Sequence, residues 1–291
     1  MISRNPPGSR EGHWNSNSSI ILVTKEADPV HTHGYYSCDE RLVTITNSFF
    51  YSFSDSLLAL LTRNGTRHGM LVTEGFRDFL DIGYQSRPKL FELGIKKPEL
   101  LYEEVIEVSE RVTVEGFDED IDKDARPPPV EEPGVLVKGL TADFIRILKP
   151  LNDDEVRAKL LGIKEKGIDA VAICFAHSYL YPTHEERAAE IAAELGFRHV
   201  SISCRAGSHM IRMVSRGSSA SADAYLTPEI QRYVDGFAKG FEGGNLDNVS
   251  CEFMQSDGGL VSHKAFTGLK ATLSGPAGKS IHCLHDRRYY C

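Results

Sequence analysis

The sequence predicts an α/β fold built on a parallel sheet, and three observations carry that expectation. Ala170-Val-Ala-Ile-Cys-Phe-Ala176 and His199-Val-Ser-Ile-Ser203 read as strands, with a helical pattern between them. A strand–helix–strand run of about 30 residues is a βαβ unit, and its strands lie parallel. A second apolar strand, Gly69-Met-Leu-Val-Thr73, also runs directly into a helical pattern. Finally, 291 residues with 41% hydrophobic and 25% charged side chains are enough to bury a substantial core.

Residues 1 to about 40 show little periodicity and are expected to be a disordered lead-in. A short amphipathic helix is predicted over 54–61, and Asn64-Gly65 is a turn signal. After the strand 69–73, Glu74-Gly75 leads into a helix through Phe76, Phe79 and Leu80, whose spacing makes one apolar face. Residues 104–112 have the character of one partly solvated strand. The acidic, Pro-rich run 118–132 reads as a surface loop, and 135–137 as a return to strand. Asn152-Asp-Asp-Glu155 resembles a capping box. It opens a helix through Val156, Leu160 and Ile163 that ends at Gly167. Thr183-His-Glu-Glu186 resembles a second box, opening a helix lined by Ala188, Ile191, Ala192 and Leu195 and ended by Gly196. Residues 218–241 are mostly helical, with Thr227 read as a cap and Pro228 as a first helical position. A strand over 249–255 then runs into Asp257-Gly258-Gly259, and Ser274-Gly275-Pro276-Ala277-Gly278 opens a further helix.

The net charge of −8 argues against binding nucleic acid, which requires basic patches. No apolar run approaches membrane-spanning length, and the N-terminus lacks the apolar segment of a signal peptide. Six scattered cysteines without a CxxC pair suit a reducing, cytoplasmic compartment.

Several clusters carry chemistry. Arg77, Gln85 and Arg87 surround a strand-to-helix turn and could grip a carboxylate or phosphate; surface or capping roles fit them equally. Asp257, Gly258 and Gly259 could line a ligand through backbone amides, or form a plain tight turn. Ser274 and Gly275 could start an anion-binding helix, or a loop. Lys279-Ser280 lacks the upstream glycine of a Walker loop. Asp118, Asp120, Asp122 and Asp124 imitate a calcium loop, but Lys123 and Pro129 occupy positions that need Gly and Glu. His31 and His33 with Cys38 fall in the unpatterned lead-in. His177 and His184 flank a loop at the carboxyl end of the strand 170–176, the edge where open α/β sheets bind ligands.

The chain resembles the hydantoinase A/5-oxoprolinase family. The resemblance rests on Leu71-Val-Thr-Glu-Gly-Phe-Arg-Asp78, Ile82-Gly-Tyr-Gln-Ser-Arg-Pro-Lys-Leu-Phe-Glu-Leu93 and Leu101-Tyr-Glu-Glu-Val-Ile-Glu-Val-Ser-Glu-Arg-Val112. It continues through Ala222-Asp-Ala-Tyr-Leu-Thr-Pro-Glu-Ile-Gln-Arg-Tyr-Val234, Ser256-Asp-Gly-Gly259 and Ser274-Gly-Pro-Ala-Gly278. These segments occur in the family's order across about residues 55–278. The resemblance implies part of an actin-like (sugar-kinase/Hsp70-like) ATPase fold. It also implies ATP- and Mg2+-dependent opening of 5-oxo-L-proline to L-glutamate, through phosphorylation of the amide oxygen. It divides the chain into a divergent lead-in (1–45), an N-terminal-type domain (46–215), the start of a hydantoinase A-type domain (216–278) and a divergent tail (279–291). On this reading Arg77, Gln85, Arg87 and Asp257 contact substrate, and Gly258, Gly259, Ser274 and Gly275 contact nucleotide. The family's two Asp-x-Gly-Gly-Thr phosphate loops have no counterpart here, so the chain is expected to be a fragment that does not hydrolyse ATP alone. A non-catalytic module derived from the family, or a relative acting on N-methylhydantoin or acetone, are the rival expectations. The expected partners are a cyclic amide, a second copy of the chain, or a hydantoinase B-type region.

Overall fold

The computed structural model describes residues 21–24, 55–84, 91, 94, 97–116, 130, 132, 134–208, 210–239 and 250–277. Its centre is a four-stranded sheet, all parallel, in the order β3-β2-β7-β8. The strands are β2 (His68–Thr73), β3 (Glu104–Val108), β7 (Ala170–Cys174) and β8 (His199–Ile202). Every residue of β2 and β7 is buried. That explains why both read as unbroken apolar runs: a central strand covered on two faces has no solvent side on which to place polar residues.

Two helices, α3 (Asp153–Glu165) and α4 (Thr183–Glu194), cover one face. Val156, Leu160, Ile163, Ala188, Ile191 and Ala192 meet Leu71, Val171 and Ile173 there. Each fully buried Leu or Ile contributes roughly 1.5–3 kcal/mol. The opposite face, through Met70, Val72, Ala172 and Cys174, packs on Ala220 and Ala224 of α6 (Met213–Ala238) and on Phe79 of the short α2 (Phe79–Ile82). The period-2 alternation of β2 and β7 therefore sorts side chains between two helical layers. Gly217 permits the close approach of α6, since a Cβ there would stand 2.4 Å from Phe79 Cζ.

Two antiparallel sheets flank this core. One has the order β4-β6-β5, from β4 (Arg111–Glu115), β5 (Leu136–Lys138) and β6 (Phe144–Lys149). The other is β1-β9-β10, from β1 (Ile21–Thr24), β9 (Ser250–Met254) and β10 (Leu260–Ser262). Phe253, Phe266 and Ala271 pack on Ile230 and Val234 in the second half of α6. The helix thus serves two cores. Further helices among the described residues are α1 (Asp55–Thr62), α5 (Ser203–Ala206) and α7 (Gly268–Ala271), with short helical turns at His263–Ala265 and 274–277.

Five expectations need correction. The lead-in expected to be disordered contains β1 (Ile21–Thr24), paired antiparallel with β9. Residues 104–112 form two strands, separated at Ser109-Glu110, that belong to different sheets. The helix read as beginning near Phe76 begins at Phe79. Pro228 does not start a helix; it lies buried inside α6, which runs on without a break. Burial against both cores outweighs the local breaker, and Thr227 donates its hydroxyl back to Asp223 (2.8 Å) instead of capping. The second capping box is absent: α4 is preceded by Pro182 with no side-chain cap, and Glu186 pairs with Arg205. The first box is half realised. Asn152 accepts from the amides of Asp154 and Glu155, while the Glu155 carboxylate accepts from Ser109 N and Lys159. No described helix is long and apolar enough to cross a membrane.

Candidate functional site

The carboxyl ends of β2, β3 and β7 open onto a cluster of buried polar groups. Thr73 closes β2. Its hydroxyl donates to Glu110 Oε1 and accepts from the amide of Ala176, 2.9 Å away. Glu110, in the two-residue link between β3 and β4, is fully buried, and its Oε2 lies 2.8 Å from His184 Nδ1 at the start of α4. A carboxylate only accepts, so His184 donates from Nδ1, and the neutral form of the ring presents Nε2 as an acceptor. Tyr181 packs edge-on against the His184 ring.

His177 follows β7 in the left-handed region, φ 58°. A histidine there is uncommon and is held by its surroundings. The amides of Leu180 and Tyr181 both donate to its carbonyl (3.0 and 3.1 Å). Its Nδ1 is buried with no hydrogen-bond partner. Burial, then the charges of Arg111 and Arg216, holds its pKa below the usual histidine range.

Beneath the loop lies a buried ion pair. Arg216 Nη1 donates to Ser178 and Ser203 hydroxyls, Nη2 to the Phe175 carbonyl (3.2 Å), and the guanidinium sits 3.8 Å from Glu185. Glu185 accepts from the amides of Phe175 (2.8 Å) and Cys204 (2.9 Å) and from the Ser203 hydroxyl (2.6 Å). One Arg–Glu pair therefore ties the ends of β7 and β8 to α4 and α6. Nearby Cys174 and Cys204 have thiols pushed up to about 12 by burial, which suits inert packing and not nucleophilic attack.

The residues singled out from sequence fall in two places. Arg77 is exposed in the turn after β2, at the same sheet edge as His177 and His184. Gln85, Arg87 and Gly278 lie outside the described residues, as do His31, His33, Cys38 and the aspartates of 118–124. Asp257, Gly258 and Gly259 form the turn of the β9–β10 hairpin. Ser256 ties this turn to the second glycine-rich segment. Its hydroxyl donates to Lys270 O (2.6 Å) and accepts from the amide of Leu273 (2.9 Å), just before buried Ser274. The two segments are thus neighbours in space. No described hydrogen bond or ion pair joins Arg77 to them.

The turn holds its own hydrogen bonds. Gly258 N donates to Gln255 O (3.0 Å) and Gly259 N to Asp257 Oδ1 (2.8 Å). Both amides are engaged within the turn. Among the described residues no group of three or more His, Cys, Asp or Glu stands where it could hold a metal ion.

Sequence reading reached His177 and His184 through the position of their loop. It missed Glu110, Arg111, Arg216 and Glu185. Their partners are distant in the chain: Glu110 and His184 are 74 positions apart. The available signal for Arg216 was an arginine on a helical stripe of small residues, Gly217, Ala220 and Ala224.

Comparison with known proteins gives the geometry its context. The family model "Hydantoinase/oxoprolinase N-terminal region" matches residues 55–196, and "Hydantoinase/oxoprolinase" matches residues 216–286. The chain is 47% identical over 220 residues to 5-oxoprolinase 1 of Arabidopsis thaliana and 44% identical over 221 residues to 5-oxoprolinase of Saccharomyces cerevisiae. Each match covers 76% of this chain, which spans 16% and 17% of the respective relatives. Among solved structures, the ATP-dependent caprolactamase of Pseudomonas jessenii superposes with a TM-score of 0.57 at 24% identity, over 77% of this chain and 29% of that one. That likeness shows the fold, an actin-like α/β architecture present here in part. With its two models matching side by side and in order, the chain belongs to the hydantoinase/oxoprolinase family.

Proposed function

We propose that this chain is a segment of an ATP-dependent 5-oxoprolinase, which opens 5-oxo-L-proline to L-glutamate. The observation that carries this reading is 44–47% identity to proteins named 5-oxoprolinase across three quarters of the chain. The polar cluster at the carboxyl edge of the parallel sheet supports a contribution from the substrate side. ATP and Mg2+ serve this reaction, and the chain alone is not expected to bind them, with which the engaged amides of Gly258 and Gly259 accord. Arg77, Gln85 and Arg87 contact substrate or a domain interface, and Asp257, Gly258, Gly259, Ser274 and Gly275 line the catalytic cleft.

The test is a chimera in which residues 55–277 replace the matching segment of the yeast enzyme. Retained 5-oxoproline-dependent ATP hydrolysis is expected. A folded chimera without it would remove the oxoprolinase reading. The engaged turn amides favour one second reading, a non-catalytic module that docks on a full-length homologue. In that case the chain should be retained on immobilised yeast enzyme while the chimera stays inactive.

A further inference from the structure

Donor and acceptor accounting at the sheet edge leaves a specific gap. The Glu110 carboxylate is filled on one oxygen by Thr73 and on the other by His184 Nδ1. Arg111, the next residue, lies half-buried with its guanidinium 4.9 Å above the Phe76 ring and has no carboxylate partner among the described residues. Its strand begins on a register shift between Arg111 and Val112, a device that re-aims side chains next to sites. His177 Nδ1 is buried and unpartnered, and His184 Nε2 has no partner among the described residues. Thr73 bridges Glu110 and the amide of Ala176, the residue before His177, while Phe76 N donates to Thr73 O, so that Arg111 over the Phe76 ring, Glu110, His184 and His177 surround one strand end. Among the described residues, a half-buried cation without an anion near two imidazole nitrogens without partners is an incomplete set.

We propose that Arg111, His177 and His184 bind a small acid bearing an N–H donor beside its carboxylate, as in a lactam or N-acyl amino acid. Arg111 takes the carboxylate, because a guanidinium on an aromatic face keeps its in-plane donors for a planar anion. In its neutral form His184 accepts the neighbouring N–H at Nε2, with the Glu110 hydrogen bond keeping the ring proton on Nδ1. His177 closes the site from the strained loop. Resting on the oxoprolinase reading, the natural ligand is 5-oxo-L-proline, which carries both groups on one ring. Arg111 is then the specificity determinant for the free carboxylate.

The test follows the histidine Cε1–H resonances of the 291-residue chain during titration with three probes. These are 5-oxo-L-proline, 2-pyrrolidinone (the lactam without a carboxylate) and N-acetylglycine (an N–H and carboxylate without the ring). The first should shift His177 and His184, and 2-pyrrolidinone should bind at least tenfold more weakly. Arg111→Met should weaken 5-oxo-L-proline roughly 10- to 100-fold. His177→Asn, which tolerates the left-handed backbone, should weaken it more mildly. Unchanged circular dichroism in both variants separates lost contacts from lost fold. Shifts confined to His68 and His199, no shift with any probe, or affinities unchanged in both variants would each overturn the site. Binding of N-acetylglycine through Arg111 without binding of 5-oxo-L-proline would keep the site and remove the oxoprolinase reading. An active chimera whose KM for 5-oxoproline ignores Arg111→Met would keep that reading and overturn the site.

Discussion

Arg216 and Glu185 are both fully buried; Arg216 donates to, and Glu185 accepts from, groups on other elements. Removing one partner strands the other charge in a low-dielectric interior. Arg216→Met should therefore cost about 3–5 kcal/mol in urea unfolding, and Glu185→Leu a similar amount. The double variant should be much less destabilised than the sum, because no orphan charge remains. Additive losses would mean that the pair does not act as a unit. His68 offers a test of sign at the same scale. Burial pushes its pKa down to about 4, and Nε2 lies 2.9 Å from the Ser221 hydroxyl. Between pH 6.5 and about 4 the unfolded chain binds a proton that the folded chain refuses. Its contribution is therefore complete above pH 6.5 and declines as pH falls toward 4, by up to roughly 3 kcal/mol. His68→Gln should flatten this part of the stability–pH curve, and a near-normal His68 titration by NMR would contradict the assignment.

At the scale of elements, close packing predicts where the chain is intolerant. A Cβ at Gly217 would meet Phe79 Cζ at 2.4 Å and Met70 Cε at 3.3 Å. Gly217→Ala should lower stability by about 1–3 kcal/mol, despite the better helix propensity of alanine. Adding Phe79→Leu should recover part of the loss; no recovery would place the strain elsewhere. Elements of this kind were legible in proportion to how locally they are determined. The strands 69–73 and 170–176 were readable because two-sided burial writes itself as an apolar run. The ends of α3 and α4 were readable at Gly167 and Gly196, whose φ values are both 75°. Pro228 misled because its local preference was overruled by burial in two cores. Residues 104–112 misled because strand character resumes at Arg111-Val112, with only the polar pair Ser109-Glu110 to mark the corner. The site was half legible: a loop at a strand's carboxyl end is visible in one dimension. The acid that orients His184, and the guanidinium that accompanies it, arrive from other strands.

Across the whole molecule, α6 is the member on which separate cores converge. Its 26 residues extend about 39 Å and carry a chain of polar contacts between them. His199 of β8 lies 3.2 Å from Asp223; Thr227 donates to Asp223 at 2.8 Å and accepts from the amide of Gly268 at 2.9 Å. Gly268 opens α7, whose Lys270 carbonyl accepts from both the amide and the hydroxyl of Ser256. The turn at Asp257-Gly258-Gly259 is therefore connected to the parallel sheet by a continuous hydrogen-bonded path through Thr227. Thr227→Val keeps the volume and removes the hydroxyl, which leaves the Gly268 amide buried without an acceptor. That should cost about 1–3 kcal/mol, concentrated on the hairpin side of α6. Hydrogen exchange in the variant should accelerate roughly 5- to 100-fold at amides of α7 and the β9–β10 hairpin, while β2 and β7 keep their protection. Equal acceleration in both regions would show one cooperative body with no preferred line of division. Unchanged exchange at Gly268 and the hairpin would show that the path through Thr227 carries no coupling, leaving the apolar contacts of Phe253 and Phe266 with Ile230 and Val234 to hold that lobe alone.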